Sequence, residues 1–293
     1  MSVSVLIPHK NSPSTLSRLL CSIPEEVSVV VVDDGSALAN VNILQKEVCP
    51  RFPNVLLKHN KTKVFNAGVA RNIALDNLPL GTKWVIFADA DDEFIKPTFK
   101  KLIDQLKLDP SADLLFFNCL AKHESKQLES KRCDSYRKLI QSWPHSEPYI
   151  AYRWPVPWGK AIKVDKLLKE SNIRFGSRLA SNDMEFSTKL ALATSRIDVF
   201  TEDTYICLES SGSLTATLTA PKALDRLKAH LSCNRMHHEN NIDFVHYSYG
   251  IKFFLKAFPL IIKRCDFRVV VSFLKNIFLA LRMNAKGNKV ESK

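Results

Sequence analysis

The seven cysteines include no Cys-x-x-Cys pair, and their number is odd and their spacing irregular. A disulfide framework and a zinc site are both disfavoured, and reduced thiols in a cytosolic protein are the expectation. Also missing is any uninterrupted apolar run approaching the ~18 residues that cross a bilayer. The opening stretch, MSVSVLIPHKN, has neither a basic leader nor a long apolar segment, so no signal peptide is expected. Acidic residues are in short supply: 30 against 42 Lys and Arg in 293 residues, a formal net charge of +12. The deficit is local. Nine of those twelve surplus charges fall in residues 222–293, which points to an anionic partner, either nucleic acid or an anionic membrane surface.

What is present is a globular composition, 45% hydrophobic and 25% charged, enough for a sizeable core. The first hundred residues alternate between apolar β-branched runs and helical spacing. Strands are expected at Val3–Pro8, Val27–Ser36, Asn54–Asn60 and from Lys83 into the acids after Phe87, with helices at Ser12–Ile23, Ala39–Val48 and Asn66–Leu78. This βαβ order predicts an α/β fold with an open, mostly parallel sheet flanked by helices. Further on, a helix is expected over Thr98–Leu108, a strand over Ala112–Ala121, helical turns after Pro157 and Asn182, and helices beyond Pro221. A soft boundary near residue 220 separates residues 1–220, with halves 1–118 and 119–220, from a helical basic extension, 221–293.

Two acidic clusters stand at strand ends: Asp33-Asp34-Gly35-Ser36, and Asp89, Asp91, Asp92 and Glu93. Such crowding raises carboxylate pKa values unless a cation or hydrogen-bond donors compensate. In open α/β sheets, ligands bind outside the carboxyl ends of the strands, so IPHKN, VDDGS and ADADD can share one crevice. Each cluster alone also fits a solvated turn capping the next helix.

In their order, the motifs resemble those of the family-two glycosyltransferases of the GT-A fold, inverting enzymes that use nucleotide sugars. They are VSVLIPHKN, VVVVDDGS, NAGVARNIAL, IFADADDEF, WGKAIKVDKLL, NDMEFSTKLAL and YICLESSGSLT, spanning about residues 1–220. The resemblance implies a nucleoside pocket lined by Pro8, Asp33 and Asp34, with Asn66 and Arg71 near the nucleotide. Asp89 and Asp91 would contact ribose or a divalent cation, Mn²⁺ or Mg²⁺, with Asp92 a third ligand, and Asp183 would be the general base. The sequence departs from the family at Asn182, where Glu is common. Asp203, in TEDT, is a rival base by analogy with processive relatives, but no Gln-x-x-Arg-Trp motif follows it, so single-sugar addition is expected.

In RWPVPWGK, Trp154 and Trp158 suit sugar stacking or a packed corner equally, and Lys160 suits contact with diphosphate or an acidic acceptor. His230, His237, His238 and His246 have no metal-site spacing and read as surface residues. Tyr249–Asn284 interleaves large apolar residues with bases, which fits helices in a membrane interface or a cap on the domain. Nucleic acid is the weaker partner, because no recognised motif for it appears. The implied function is transfer of one sugar from a nucleotide donor, uridine diphosphate being favoured. The acceptor would be a glycan or lipid-linked glycan at the inner membrane face, in lipopolysaccharide or capsule synthesis. The alternatives are a nucleotidyltransferase, against which stands the absence of a Gly-rich triphosphate loop, and an inactive binding protein, to which Asn182 points.

Overall fold

A computed structural model describes residues 2–124, 129–147, 149–209 and 219–242, together with 271 and 274. The first half follows the expected alternation: β1 (Val3–His9), α1 (Pro13–Cys21), β2 (Ser28–Asp33), α2 (Leu38–Ile43), β3 (Val55–His59), α3 (Ala67–Asp76) and β4 (Trp84–Phe87). A two-residue strand, β5 (Glu93–Phe94), precedes α4 (Lys96–Lys107) and β6 (Leu114–His123). Next come α5 (Asp134–Gln141), α6 (Tyr149–Tyr152), β7 (Lys160–Lys163), α7 (Asn182–Ala193), β8 (Ile197–Glu209) and α8 (Ala220–Glu239).

The eight strands form one sheet in the order β3-β2-β1-β4-β7-β6-β8-β5. β1–β2, β1–β4, β2–β3 and β6–β8 are parallel, while β4–β7, β6–β7 and β5–β8 are antiparallel. The parallel majority is therefore narrow, and it is carried by the first half. Every residue of β2 is buried, as its unbroken valine run requires of a strand covered on both faces. α4 buries Phe99, Leu102, Ile103 and Leu106, a stripe at helical spacing, and carries Pro97 in its first turn, where no amide donor is needed.

β7 differs from the expected helical turn: Lys160–Lys163 completes the ladders of both β4 and β6. Only two apolar residues, Ala161 and Ile162, mark it, too few for an alternation to show. The helix expected next forms a π-helical segment, Val164–Glu170. α8 packs on α7 through Met184, Ala229, Cys233 and Met236. His237 on α8 is fully buried beside the Tyr152 ring, centroids 5.5 Å apart, and not at the surface as its sequence context implies. Burial lowers both His230 and His237 to about 4. The run Tyr249–Asn284, apart from Val271 and Leu274, and His246 lie outside the described residues. No helix among the described residues is long and apolar enough to cross a membrane.

Candidate active site

β1 runs between β2 and β4, so the chain order reverses beside it and the carboxyl ends of all three open on one edge. Asp33 ends β2 and Asp89 follows β4, two strand spacings or roughly 10 Å apart.

On the β2 side, His9 orients Asp33. Its Nε2 accepts the Ser12 N–H at 3.1 Å, so Nδ1 carries the proton donated to Asp33 Oδ1 at 3.2 Å. Asp33 also accepts the Ser36 N–H at 3.2 Å and the Ser36 hydroxyl. Burial pushes the Asp33 carboxyl up, but these donors outweigh it and hold it at about 2. Asp34 has the opposite balance. Burial raises it despite the Asn60 Nδ2 donor at 2.7 Å, and Asn60 is itself held by Thr62 and Val64. Pro8 is half-buried at the end of β1. The half-exposed Phe65 ring lies over Gly35, whose φ of +75° and lack of a Cβ allow that approach.

On the β4 side, Arg71 is buried and donates Nη2 to Asp89 Oδ1 at 2.6 Å and Nη1 to Asn182 Oδ1 at 3.4 Å. One guanidinium thus ties the acidic turn to the start of α7. Gly68 permits this: a Cβ there would meet the Gly176 carbonyl oxygen at 2.5 Å and Asn182 at 3.1 Å. Asn66 caps α3 by accepting the Val69 N–H at 2.9 Å and donates to the Ser177 carbonyl at 3.1 Å. Its side chain therefore joins the two halves of the chain, and its backbone N–H faces Asp34.

The three acids after β4 occupy different environments. Asp89 is about a third exposed. Solvent reaches Asp91, yet the protein mass around it and the neighbouring Asp89 raise its carboxyl. Asp92 is buried, accepts from Tyr205 Oη at 2.7 Å and the Leu208 N–H at 2.8 Å, and is held well above the usual carboxylate range by that burial and by Asp89 and Asp91. Tyr205 also accepts the Asp89 N–H at 3.0 Å, which pins the turn at both ends. Among the described residues, no group of three His, Cys, Asp or Glu side chains is arranged to hold a metal ion. Asp89 and Asp91 nevertheless supply two hard carboxylates, and Mg²⁺-type sites commonly use one or two together with substrate phosphates. Asp92, with both oxygens engaged, is placed to orient the turn and not to ligate.

Asp183 lies in the first turn of α7, which starts after Ser181 in left-handed backbone, φ 56°. Burial raises its carboxyl, Arg71 and Lys160 oppose that, and Asp89 adds to it. Asp183, Arg71 and Asp89 thus form one electrostatic group. Lys160 approaches from within the protein: 1% exposed, it donates to the Trp154 carbonyl at 2.9 Å and Ser187 Oγ at 3.1 Å, not towards the crevice. Trp154 and Trp158 form the packed corner, both buried, with Trp154 Nε1 donating to the Trp158 carbonyl at 2.9 Å. Asp203 accepts from Asn118 Nδ2 and stands 3.8 Å from Arg137, lining a separate cleft of about 580 Å³ with Thr98 and Gln141.

Three residues that the sequence reading does not single out shape this site: His9, Asn60 and Tyr205. His9 lies within IPHKN and was visible as a residue at a strand end. Tyr205 opens the motif YICLESSGSLT and Asn60 ends an expected strand, but nothing local names their partners, which are 113 and 26 residues away.

Comparison with known proteins identifies the family and the fold. Residues 4–163 match the family described as glycosyl transferase family 2. Over 111 residues the chain is 28% identical to the minor teichoic acid biosynthesis protein GgaA of Bacillus subtilis, a stretch spanning 34% of this chain and 24% of that protein. Residues 1–349 of S. aureus TarS superimpose with a TM-score of 0.70 at 23% identity, over 97% of this chain and 83% of the other. TarS with UDP-GlcNAc gives 0.67 at 22% identity, over 84% and 70%. The mannosyltransferase PcManGT of Pyrobaculum calidifontis, in complex with GDP-Man and Mn²⁺, gives 0.53 at 16% identity, over 95% and 80%. The fold is that of the GT-A glycosyltransferases, and the chain belongs to glycosyl transferase family 2.

Proposed function

We propose that the protein is an inverting glycosyltransferase that moves one sugar from a nucleoside diphosphate donor to a hydroxyl of a glycan or lipid-linked glycan. The observation that carries this reading is the grouping of Asp183 with Arg71 and Asp89 at the sheet edge that also presents Asp33 and Asp34. Asp33, ionised and fixed by His9 and Ser36, and Asp34 accept from nucleobase and ribose groups. Arg71 offers the cationic charge that a diphosphate seeks. Asp183 takes the proton of the acceptor hydroxyl as that oxygen attacks the anomeric carbon opposite the departing nucleoside diphosphate. Its raised pKa suits a base, since proton affinity and ionisation must be balanced near the working pH. A divalent cation held by Asp89 and Asp91 would stabilise charge on the leaving diphosphate.

Uridine diphosphate is the favoured donor nucleotide, because TarS has been solved with UDP-GlcNAc and UDP. A cytoplasmic enzyme at the inner membrane face, making lipopolysaccharide, capsule or a related surface polymer, fits the basic residues 222–293 and the relative in teichoic acid synthesis. On this reading, residues 1–220 do the catalysis and 221–293 meet the anionic membrane surface.

The first test is calorimetric titration of UDP into the wild type and Asp91→Ala, with and without Mn²⁺, followed by a donor screen and transfer assays with Asp183→Asn. Mn²⁺-dependent binding weakened by Asp91→Ala, and transfer reduced at least about a hundredfold by Asp183→Asn, support the proposal. Transfer at the wild-type rate in Asp183→Asn removes Asp183 as base. Release of pyrophosphate would favour a nucleotidyltransferase, and failure of any nucleoside diphosphate to bind folded protein would favour the inactive binding protein to which Asn182 points.

A further inference from the structure

Lys160 begins β7 beside the end of β4, enclosed by protein. An ammonium carries three donors, and two of them meet the Trp154 carbonyl and Ser187 Oγ, with the Phe116 ring centroid 5.7 Å away. Among the described residues no carboxylate lies within the 4.0 Å of an ion pair. Burying a cation without a counter-ion is costly, and the Trp154 turn could be pinned by an uncharged donor at less cost. Burial lowers Lys160 to about 7, and Asp183 pulls in the other direction. The connection to that acid is geometric. Ser187 follows Asp183 by four residues on α7, so the two share a helix face one turn apart.

We propose that Lys160 is a positioning residue for Asp183, held one helical turn from the base by Ser187 and the Trp154 carbonyl, where its charge keeps the carboxylate ready to accept a proton. The inference rests on the reading of Asp183 as the base. The other charged or titratable groups around Asp183 do not make Lys160 redundant. Arg71, on α3, is the stronger cation, but it is shared with Asp89, whose effect on Asp183 has the opposite sign. On α7 itself Glu185 is paired with Arg178 at 2.8 Å. From α8 comes Cys233, whose thiol burial drives up to about 12, so it stays neutral.

The test is an NMR titration of ¹³C-carboxyl-labelled aspartates in full-length protein, with the Asp183 signal assigned through Asp183→Asn. Wild type is compared with Lys160→Met, which keeps length but loses charge, and with Ser187→Ala, which keeps the charge and removes its tether to α7. The Asp183 midpoint should rise by about 0.5 unit or more in Lys160→Met, roughly threefold in proton affinity. A smaller rise is expected in Ser187→Ala, with unchanged UDP affinity in both. If Lys160→Met does not fold, Ser187→Ala decides alone. An Asp183 midpoint that does not move in the folded variants overturns the proposal and leaves Lys160 as a pin for the Trp154 turn. The outcome is separable from the activity reading, because the titration needs no turnover and full transfer by Asp183→Asn would remove the base without altering the measured coupling.

Discussion

Tyr205→Phe isolates the device that holds the acidic turn. The substitution removes one oxygen and keeps the ring, whose contacts with Phe94 and Trp158, centroids 5.1 and 5.8 Å away, should persist. That oxygen donates to Asp92 Oδ2 at 2.7 Å and accepts the Asp89 N–H at 3.0 Å in a fully buried setting. Leaving a buried polar group unpaired costs about 1–3 kcal/mol. Asp92 retains the Leu208 N–H, so the total for both groups should be about 2–4 kcal/mol. For a chain of this length roughly 2 °C is lost per kcal/mol, and the melting temperature should fall by about 4–8 °C. Differential scanning calorimetry gives the first number, and titration with UDP gives the second. Affinity should drop about tenfold, or about 1.4 kcal/mol, because Asp89 and Asp91 ride on the loosened turn. A melting temperature lowered by less than about 1 °C, with UDP binding intact, would refute the role given to Tyr205.

Asp33 should make the fold acid-sensitive. Its carboxyl is held at about 2 against an ordinary 3.8, so its stabilisation is complete above about pH 4 and is lost as pH falls through about 2, a contribution of about 2 kcal/mol. Asp33→Asn should flatten urea unfolding midpoints between pH 5 and 2, and an unchanged slope would contradict this. Gly68→Ala should cost about 1–3 kcal/mol by overpacking, since the new Cβ would meet a backbone oxygen that cannot rotate away. Gly176→Ala, whose Cβ would find only Glu185 Oε2 at 3.4 Å, is the control and should stay within about 0.5 kcal/mol in the same denaturation series. The rate carried by Asp183 should fall as pH drops through its raised pKa, because only the carboxylate accepts a proton. A pH–kcat profile flat down to about pH 4, the ordinary carboxylate value, would argue against it.

Apart from the two-residue β5, the order of strands and helices through residue 121 could be read directly from the chain, because apolar runs and helical spacing are local signals. β7 could not, since four residues with two lysines become a strand only when β4 and β6 both offer unpaired edges. His237 looked like a surface residue because helical spacing does not reveal which neighbour covers a face, and here Tyr152 does.

The acids at the strand ends were legible for the same reason as the strands: carboxylates interrupt apolar runs and stand out locally. Their individual states were not. Asp33 is ionised by His9 and Ser36, Asp34 is raised by burial, and Asp92 is committed to Tyr205 and Leu208. Lys160 and Trp154 likewise turn inward on contacts made across the fold. By itself the sequence determined which residue types stand at the carboxyl ends of the strands, because strand periodicity and chain order are local properties. Only the tertiary structure decided which of those side chains face solvent, which are already paired and which charge sits beside which, because burial and long-range hydrogen bonds set the energy of a charged group.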